Sequence, residues 1–276
     1  MDADFPAAHS MDTMWFAVDK DGRVACFDSG EAGAVPAGAF AGDPAYSALR
    51  RLGKALPQTE VLHDRQGRSR PGEGAGMMDH LAGQGGSNYP VLMFLKSLDL
   101  VRDEIAAGRA REVRSTSDFA VWFPALDPEL AGRLHEEDVC LGCYLHFGMD
   151  PDEDDEEGGR VRAASRGMYQ YSHTCENWIA GPYGRTGIPA NPVHIDQLPP
   201  ALRNQIKEMR FDVNFAETPY IQPVQHTECA SWETRWLDLD GNEHPMPGRE
   251  GDEDENLEEF LENLGGEGET APGGEE

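Results

Sequence analysis

The chain lacks any long hydrophobic run. No stretch of about 18 apolar residues occurs in its 276 residues, so the sequence contains no candidate for a membrane-spanning helix. The first residues, MDADFPAAHSMDTM, carry early aspartates and no apolar stretch of the kind that a secretory signal requires. We therefore expect a cytoplasmic protein that makes no membrane contact.

Cysteine and lysine are both scarce. The five cysteines are odd in number and follow no export signal, which argues against a disulfide framework because the cytosol keeps thiols reduced. The 23 basic residues, of which only 4 are lysine, are outnumbered by 51 acidic ones, for a formal charge of −28. Such a surface repels phosphate, so we expect no direct binding to nucleic acid. A basic protein is the partner that this charge favours.

The negative charge is concentrated in two segments. Residues 150–157 carry seven acids and no base, and residues 248–276 carry twelve acids against Arg249 alone. We predict an acidic loop over residues 149–160 and a mostly disordered, Gly-rich tail over residues 248–276. The candidate partner-binding residues of the loop are Asp152, Glu153, Asp154, Asp155, Glu156 and Glu157.

The apolar pattern predicts one mixed α+β domain over residues 14–247, after a flexible arm at residues 1–13. The segments MWFAV and RVACF, joined by DKDG, are typical of an N-terminal β-hairpin. Several short strands and three to four helices follow without a regular βαβ repeat. The polar, Gly-rich residues 63–88 are predicted to form a long loop, since no phosphate-loop motif closes them.

Cys140 and Cys143, in CLGC, have the spacing of half a zinc site. Together with His173 and Cys175 they would complete a structural Cys3His set. A β-strand explains the same residues, and its alternation would place Cys140 and Cys143 on opposite faces, out of reach of one ion. Only one Cys-x-x-Cys pair is present, so we favour the strand and expect no cofactor, with zinc as the alternative. A helix that starts at the first cysteine would lower the pKa of its thiol and favour a redox dithiol, but this segment predicts a strand, so a redox role is less favoured than zinc.

The segment YGRTGIP, residues 183–189, combines aromatic and guanidinium groups in what reads as a Gly/Pro-rich loop. Trp178, Tyr183 and Arg185 are therefore the candidate ligand-facing residues, although a packed turn is the interpretation that we favour for this segment. No catalytic residue is predicted, because the surroundings of Ser29 depart from the Gly-x-Ser-x-Gly pattern. An enzyme whose site is assembled from residues distant in sequence stays open as an alternative.

The opening WFAVDKDGRVACFDSGEAGAVP resembles that of a group of uncharacterised bacterial proteins, and PVHIDQLPPALRNQI and IQPVQHTECASW fit the same pattern. The resemblance implies an accessory protein and assigns no catalytic residue. The opening is also similar, in a general way, to small acidic immunity proteins of bacterial toxin systems, whose toxins are often basic nucleases. We therefore expect a non-enzymatic, protein-binding module with an immunity-like or antitoxin-like role, in which acidic surface contacts a basic partner.

Overall fold

The computed structural model of the chain describes residues 13–30, 32–68, 76–84, 86–145, 162–174, 179–231 and 233–247. These residues form a single α+β domain, as the sequence predicts. The helices are α1 (Asp43–Ala55), α2 (Gly76–Gln84), α3 (Arg102–Ala106), α4 (Pro128–Glu136) and α5 (Pro200–Ile206). Within the described ranges, no helix is both long and apolar enough to cross a membrane.

The strands are short and belong to four sheets. They are β1 (Met14–Val18), β2 (Val24–Asp28), β3 (Val35–Pro36), β4 (Val61–His63), β5 (Val91–Leu95), β6 (Arg111–Val113), β7 (Phe119–Phe123), β8 (Cys140–Leu145), β9 (Tyr169–His173), β10 (Tyr183–Pro189), β11 (Tyr220–Ile221), β12 (Cys229–Ala230), β13 (Arg235–Leu237) and β14 (Glu243–Pro245). The pairs β3/β12 and β13/β14 are small two-stranded ribbons.

The larger sheet has the strand order β1-β2-β9-β10-β11, and β4 also pairs with β10. Its first two strands form the predicted hairpin, in register from Met14 opposite Asp28 to Val18 opposite Val24. The Asp19 carboxylate stabilises the turn by accepting hydrogen bonds from the backbone N–H groups two and four residues later. Strands β2 and β9 then run parallel, while the other pairs of this sheet are antiparallel.

Both faces of this sheet are covered by apolar side chains. Leu52 of α1 and Ile206 of α5 pack on one face. The opposite face carries an aromatic cluster in which Trp15 and Phe27 stack with ring centroids 4.0 Å apart. Tyr183 belongs to this cluster and is fully buried. Such large buried rings account for much of the apolar area that stabilises the fold.

The second sheet is antiparallel, with the order β6-β7-β5-β8. Every residue of its central strand β5 is buried, as its continuous apolar sequence predicts. Helices α2 and α4 cover one face. Asp127 caps α4 by accepting hydrogen bonds from the N–H groups of Glu129 and Leu130.

Two segments predicted as loops contain regular structure. Gly76–Gln84, inside the predicted Gly-rich loop, forms α2, in which Met78 and Leu81 are buried against the second sheet. Residues 183–189, predicted as a ligand-facing loop, form β10, which pairs with three other strands. Tertiary packing overrides the high glycine content of both segments.

Strand β4 and the loop after it join the two sheets. The N–H of His63 donates to the carbonyl of Arg114 at 2.8 Å, and the carbonyl of His63 accepts from the N–H of Thr116 at 3.1 Å. Two residues further on, Arg65 pairs with Asp118 at 2.7 Å. Residues 64–68 are therefore held between the sheets rather than projecting as a free loop.

Candidate functional site

Two of the predicted ligand-facing residues lie in the interior. Tyr183 is fully buried, and its hydroxyl donates to the carbonyl of Ala34 at 3.0 Å. Burial raises the pKa of this hydroxyl well above its usual value. Arg185 is only 5% exposed. These positions are consistent with a packed segment, which forms a strand rather than the expected turn. The ligand-facing role of the three residues stays a prediction.

Several other predicted residues lie outside the described residues. They are Trp178, Cys175 and the acidic set Asp152, Glu153, Asp154, Asp155, Glu156 and Glu157. Their proposed roles in binding a ligand, a metal or a partner stay predictions.

Cys140 and Cys143 lie on the same face of β8, contrary to the alternation expected from the sequence. Leu95 of β5 pairs with Cys140, whereas Phe94 pairs with Gly142, so β8 contains a bulge with one extra residue between these pairs. Both cysteines therefore pack against the core beneath α2 and α4. The four cysteines in the described ranges, including this pair, are free thiols.

His173 shares neither a strand nor a sheet with Cys140 and Cys143. His173 lies in β9 of the larger sheet, where its Nε2 accepts a hydrogen bond from the N–H of Gly181 at 2.9 Å. Among the residues that the structure describes, no group of three His, Cys, Asp or Glu side chains is placed to hold a metal ion. Because Cys175 is outside this set, the zinc alternative is not tested.

A polar cavity of about 90 Å³ lies where β4, β9 and β10 meet the loop that follows β4. This volume is near that of three water molecules, which accommodates one tetrahedral oxyanion. The lining combines two guanidinium groups, an imidazole, an amide and two hydroxyls. The lining residues are Val61, His63, Arg68, Arg162, Gln170, Ser172, Thr186 and Gly187.

A second bulge helps to form this cavity. Arg185 pairs with Tyr171, whereas Gly187 pairs with Gln170, so Thr186 is the extra residue in β10. A bulge redirects side chains and leaves backbone groups unpaired in the ladder. Here the freed carbonyl of Thr186 accepts a hydrogen bond from Arg68 at 2.7 Å.

Arg68 is the central side chain of the cavity. Its Nη2 donates to the Thr186 carbonyl and to Nδ1 of His63 at 3.1 Å. Because a guanidinium has only donors, this nitrogen of His63 must be the acceptor. The Nε of Arg68 is buried and has no hydrogen-bond partner, and no carboxylate pairs with this side chain within the described part of the chain.

The charge of Arg68 is incompletely neutralised. Burial lowers the pKa of its guanidinium to about 10, and the nearby positive charge of Arg162 contributes to the same shift. A pKa of about 10 is still well above neutral pH, so the group stays charged. A buried charge without a paired counter-ion is costly, so a bound anion would stabilise this arrangement.

Asp64, the acidic group that acts on Arg68 among the described residues, is already paired. Both Nε and Nη2 of Arg185 donate to Oδ2 of Asp64, at 2.9 and 2.6 Å, and the other carboxylate oxygen accepts from the N–H of Gln66 at 3.1 Å. Asp64 is 2% exposed, so this is a fully buried ion pair. It fixes the start of the loop that carries Arg68.

Gly67 allows the same loop to contact β10 directly. A Cβ atom at Gly67 would overlap the backbone of Arg185, and one at Gly184 would overlap the carbonyl of Gly67. Only glycine permits this backbone approach without a shift of one segment. The loop is thus positioned by an ion pair and by a close contact between two backbones.

The lining groups suit an anion more than a cation. Two guanidinium groups and an amide offer fixed donors, and the hydroxyls of Ser172 and Thr186 can donate as well. Guanidinium groups match the geometry of phosphate, sulfate and carboxylate oxygens. The segment 183–189, which the sequence analysis singled out, contributes Thr186 and Gly187 to the lining. The other lining residues come from three further segments that no spacing motif links, so the sequence does not predict the site as a whole.

Comparisons of the chain with protein-family models, with curated proteins and with solved structures give no match.

Proposed function

We propose that the protein is a cytoplasmic, non-enzymatic binding protein that takes up a phosphate-sized oxyanion in the cavity around Arg68. The observation that carries this proposal is the buried Arg68 guanidinium, whose Nε has no hydrogen-bond partner among the described residues. Water can fill such a cavity, but it supplies no negative charge. An oxyanion supplies both the acceptor and the charge.

The preferred ligand is a tetrahedral oxyanion such as phosphate or sulfate. The Arg68 guanidinium carries a buried positive charge, and Asp64, which is paired with Arg185, offsets this charge little. Several donors line the cavity, so an ion with four acceptor oxygens satisfies more of them than a carboxylate or a chloride ion does. A cavity of about 90 Å³ admits the oxyanion itself, so a larger ligand would enter by a phosphoryl or sulfo group.

The test is thermal unfolding of the full chain with inorganic phosphate, sulfate or chloride at equal ionic strength. A ligand at 100 times its Kd stabilises the folded state by about 2.7 kcal/mol, so Tm should rise by several degrees with phosphate and sulfate. Arg68→Met should abolish this rise. Arg102→Met is the matched control, because Arg102 is an exposed guanidinium paired with Asp99 and should leave the rise unchanged.

Two outcomes would contradict the proposal. Equal Tm values in phosphate and in chloride would show that the cavity does not select oxyanions. A phosphate-dependent rise that persists in Arg68→Met would place the anion elsewhere. Isothermal titration with phosphate gives the Kd and separates binding from a general salt effect on stability.

A second candidate function is binding of a basic protein, and the distribution of charge favours it. The described residues contain 26 of the 51 acidic side chains and 20 of the 23 basic ones, a net of −6 out of −28. The excess negative charge therefore lies mainly in other segments, including residues 150–157 and 248–276. Such clusters speed encounter with a cationic partner.

This second function can be tested with basic nucleases as partners. Conversion of the six acids at residues 152–157 to amides should weaken inhibition of a sensitive nuclease and flatten its dependence on salt. The matched control converts Glu136, Glu137 and Asp138, an acidic group at the exposed end of α4, to amides. Equal effects of both variants would show that net charge, rather than the loop, governs association.

A further inference from the structure

The bulge in β8 creates a pair of neighbouring thiols. The extra residue of the bulge, Leu141, packs on the opposite face of the sheet from Cys140 and Cys143. The two cysteines consequently point to one side, although their positions in the sequence differ by three, an odd number. Without the bulge, the pleat would direct them to opposite faces.

The two thiols lie on one face of β8 but differ in exposure. Cys143 is 5% exposed and lies in the core, whereas Cys140 is partly exposed at the first position of an edge strand and donates to the carbonyl of Gly142 at 3.4 Å. The influence of Cys143 lowers the pKa of the Cys140 thiol, while the influence of Cys140, together with burial, raises the pKa of the Cys143 thiol. The accessible thiol is thus the one that ionises more readily.

We propose that Cys140 and Cys143 form a thiol–disulfide exchange site whose substrates are small-molecule disulfides. Cys140 is the attacking group, because it is the one that a disulfide in solution can reach. Cys143 is the resolving group, because it lies on the same face of β8 as Cys140 and is protected from solvent. This site is independent of the oxyanion cavity, which lies in the other sheet.

The exchange has two steps. The Cys140 thiolate attacks one sulfur of the substrate disulfide, whose S–S bond breaks, and the first half of the substrate leaves as a thiolate that takes a proton from water. Cys143 then loses its proton to solvent and attacks the Cys140 sulfur, expelling the second half as a thiolate. The protein dithiol loses two electrons, and the substrate disulfide gains them to become two thiols.

The position of the pair in β8 permits the closure that this reaction requires. Strand β8 is at the edge of its sheet and pairs only with β5 in that sheet. The bulge already interrupts the ladder next to Cys140, so a local shift of this residue disrupts few backbone hydrogen bonds. A disulfide closed in this way would be strained and easily reduced again, as in reversible rather than structural disulfides.

The experiment exposes the reduced full-length chain to oxidised glutathione at neutral pH, followed by alkylation and intact mass measurement. We expect the wild-type chain to lose two hydrogens and two alkylatable thiols, with both losses mapped to the peptide containing Cys140 and Cys143. Cys143→Ser should stop at a stable glutathione adduct on Cys140. Cys140→Ser should form neither the glutathione adduct nor the internal disulfide. Cys229→Ser is the control and should behave as the wild type does.

Three results would overturn the proposal. The wild-type chain could remain fully alkylatable, or it could accumulate the same glutathione adduct as Cys143→Ser, or the internal disulfide could map to another pair. Cys143→Ala serves as a second resolving-group variant if serine is not tolerated in the core. The wild-type thiol count decides the question even if neither variant folds.

Discussion

The buried ion pair between Asp64 and Arg185 yields the sharpest prediction about stability. Asp64→Asn keeps the size of the side chain and an acceptor oxygen but removes the negative charge. The Arg185 guanidinium, 5% exposed, then remains buried with hydrogen bonds to neutral groups only. Removal of one partner of such a pair costs about 3–5 kcal/mol, because the other charge is left uncompensated.

This loss is a large part of the total free energy of unfolding. A domain is stable by about 5–15 kcal/mol, so Asp64→Asn should remove roughly a fifth or more of the free energy of unfolding. Urea unfolding followed by tryptophan fluorescence should show a lower midpoint with an unchanged slope. The matched control is Asp118→Asn in the more exposed pair with Arg65, where we expect a loss of about 1 kcal/mol or less.

A double variant distinguishes the charge from the packing. Asp64→Leu combined with Arg185→Met replaces both charges by apolar groups, so it should be more stable than Asp64→Asn alone. If the free energy of unfolding of Asp64→Asn is within about 1 kcal/mol of the wild-type value, the ion pair contributes little to stability, and the reasoning from burial is refuted. If the double variant is the least stable of the three, packing of the side chains rather than charge dominates.

Three further predictions concern single positions. Gly67→Ala should lower the free energy of unfolding by about 1–3 kcal/mol and weaken phosphate binding in calorimetry, because the added Cβ overlaps the backbone of β10. The control is Gly83→Ala, which should be neutral or stabilising because there is open space around the added Cβ. Burial raises the pKa of Cys229 to about 12, and the negative charge of Glu228 adds to the shift. Alkylation of Cys229, followed by peptide mass measurement, should therefore be slow at pH 8 and become faster up to about pH 12. An alkylation rate that levels off near pH 9 would contradict this. Tyr171→Phe should cost about 1 kcal/mol in urea unfolding, because it removes the buried hydroxyl that donates to the carbonyl of the partly buried Thr218 at 2.6 Å. An unchanged midpoint would show that water replaces this hydrogen bond.

The hairpin and the buried strands were predictable because their signals are local. Asp-Gly between two apolar runs specifies a tight turn, and the continuous apolar run of β5 fits a strand buried on both faces. The Asp-Pro start of α4 likewise predicts a helix from neighbouring residues alone. These elements need no knowledge of the tertiary contacts.

Strand β10 shows why glycine content misled the sequence analysis. Gly184 and Gly187 usually indicate turns, but here they allow close packing in the middle of a sheet. A Cβ at Gly187 would lie 2.9 Å from the Cβ of Ala164, and one at Gly184 would overlap the loop at Gly67. The glycines are required by neighbours that are distant in the sequence, so no local pattern reveals their role.

Both proposed sites depend on a bulge, and this explains why alternation along the strands could not reveal them. One extra residue in β10 frees a carbonyl that orients Arg68, and one in β8 brings two cysteines to the same face. Side-chain alternation assigns faces only while the register is unbroken, so each bulge reverses the assignment for every residue beyond it. At the bulges in β8 and β10, the interrupted ladder places polar or reactive side chains together that a regular strand would keep apart. This is the physical reason to test the residues at these two bulges first.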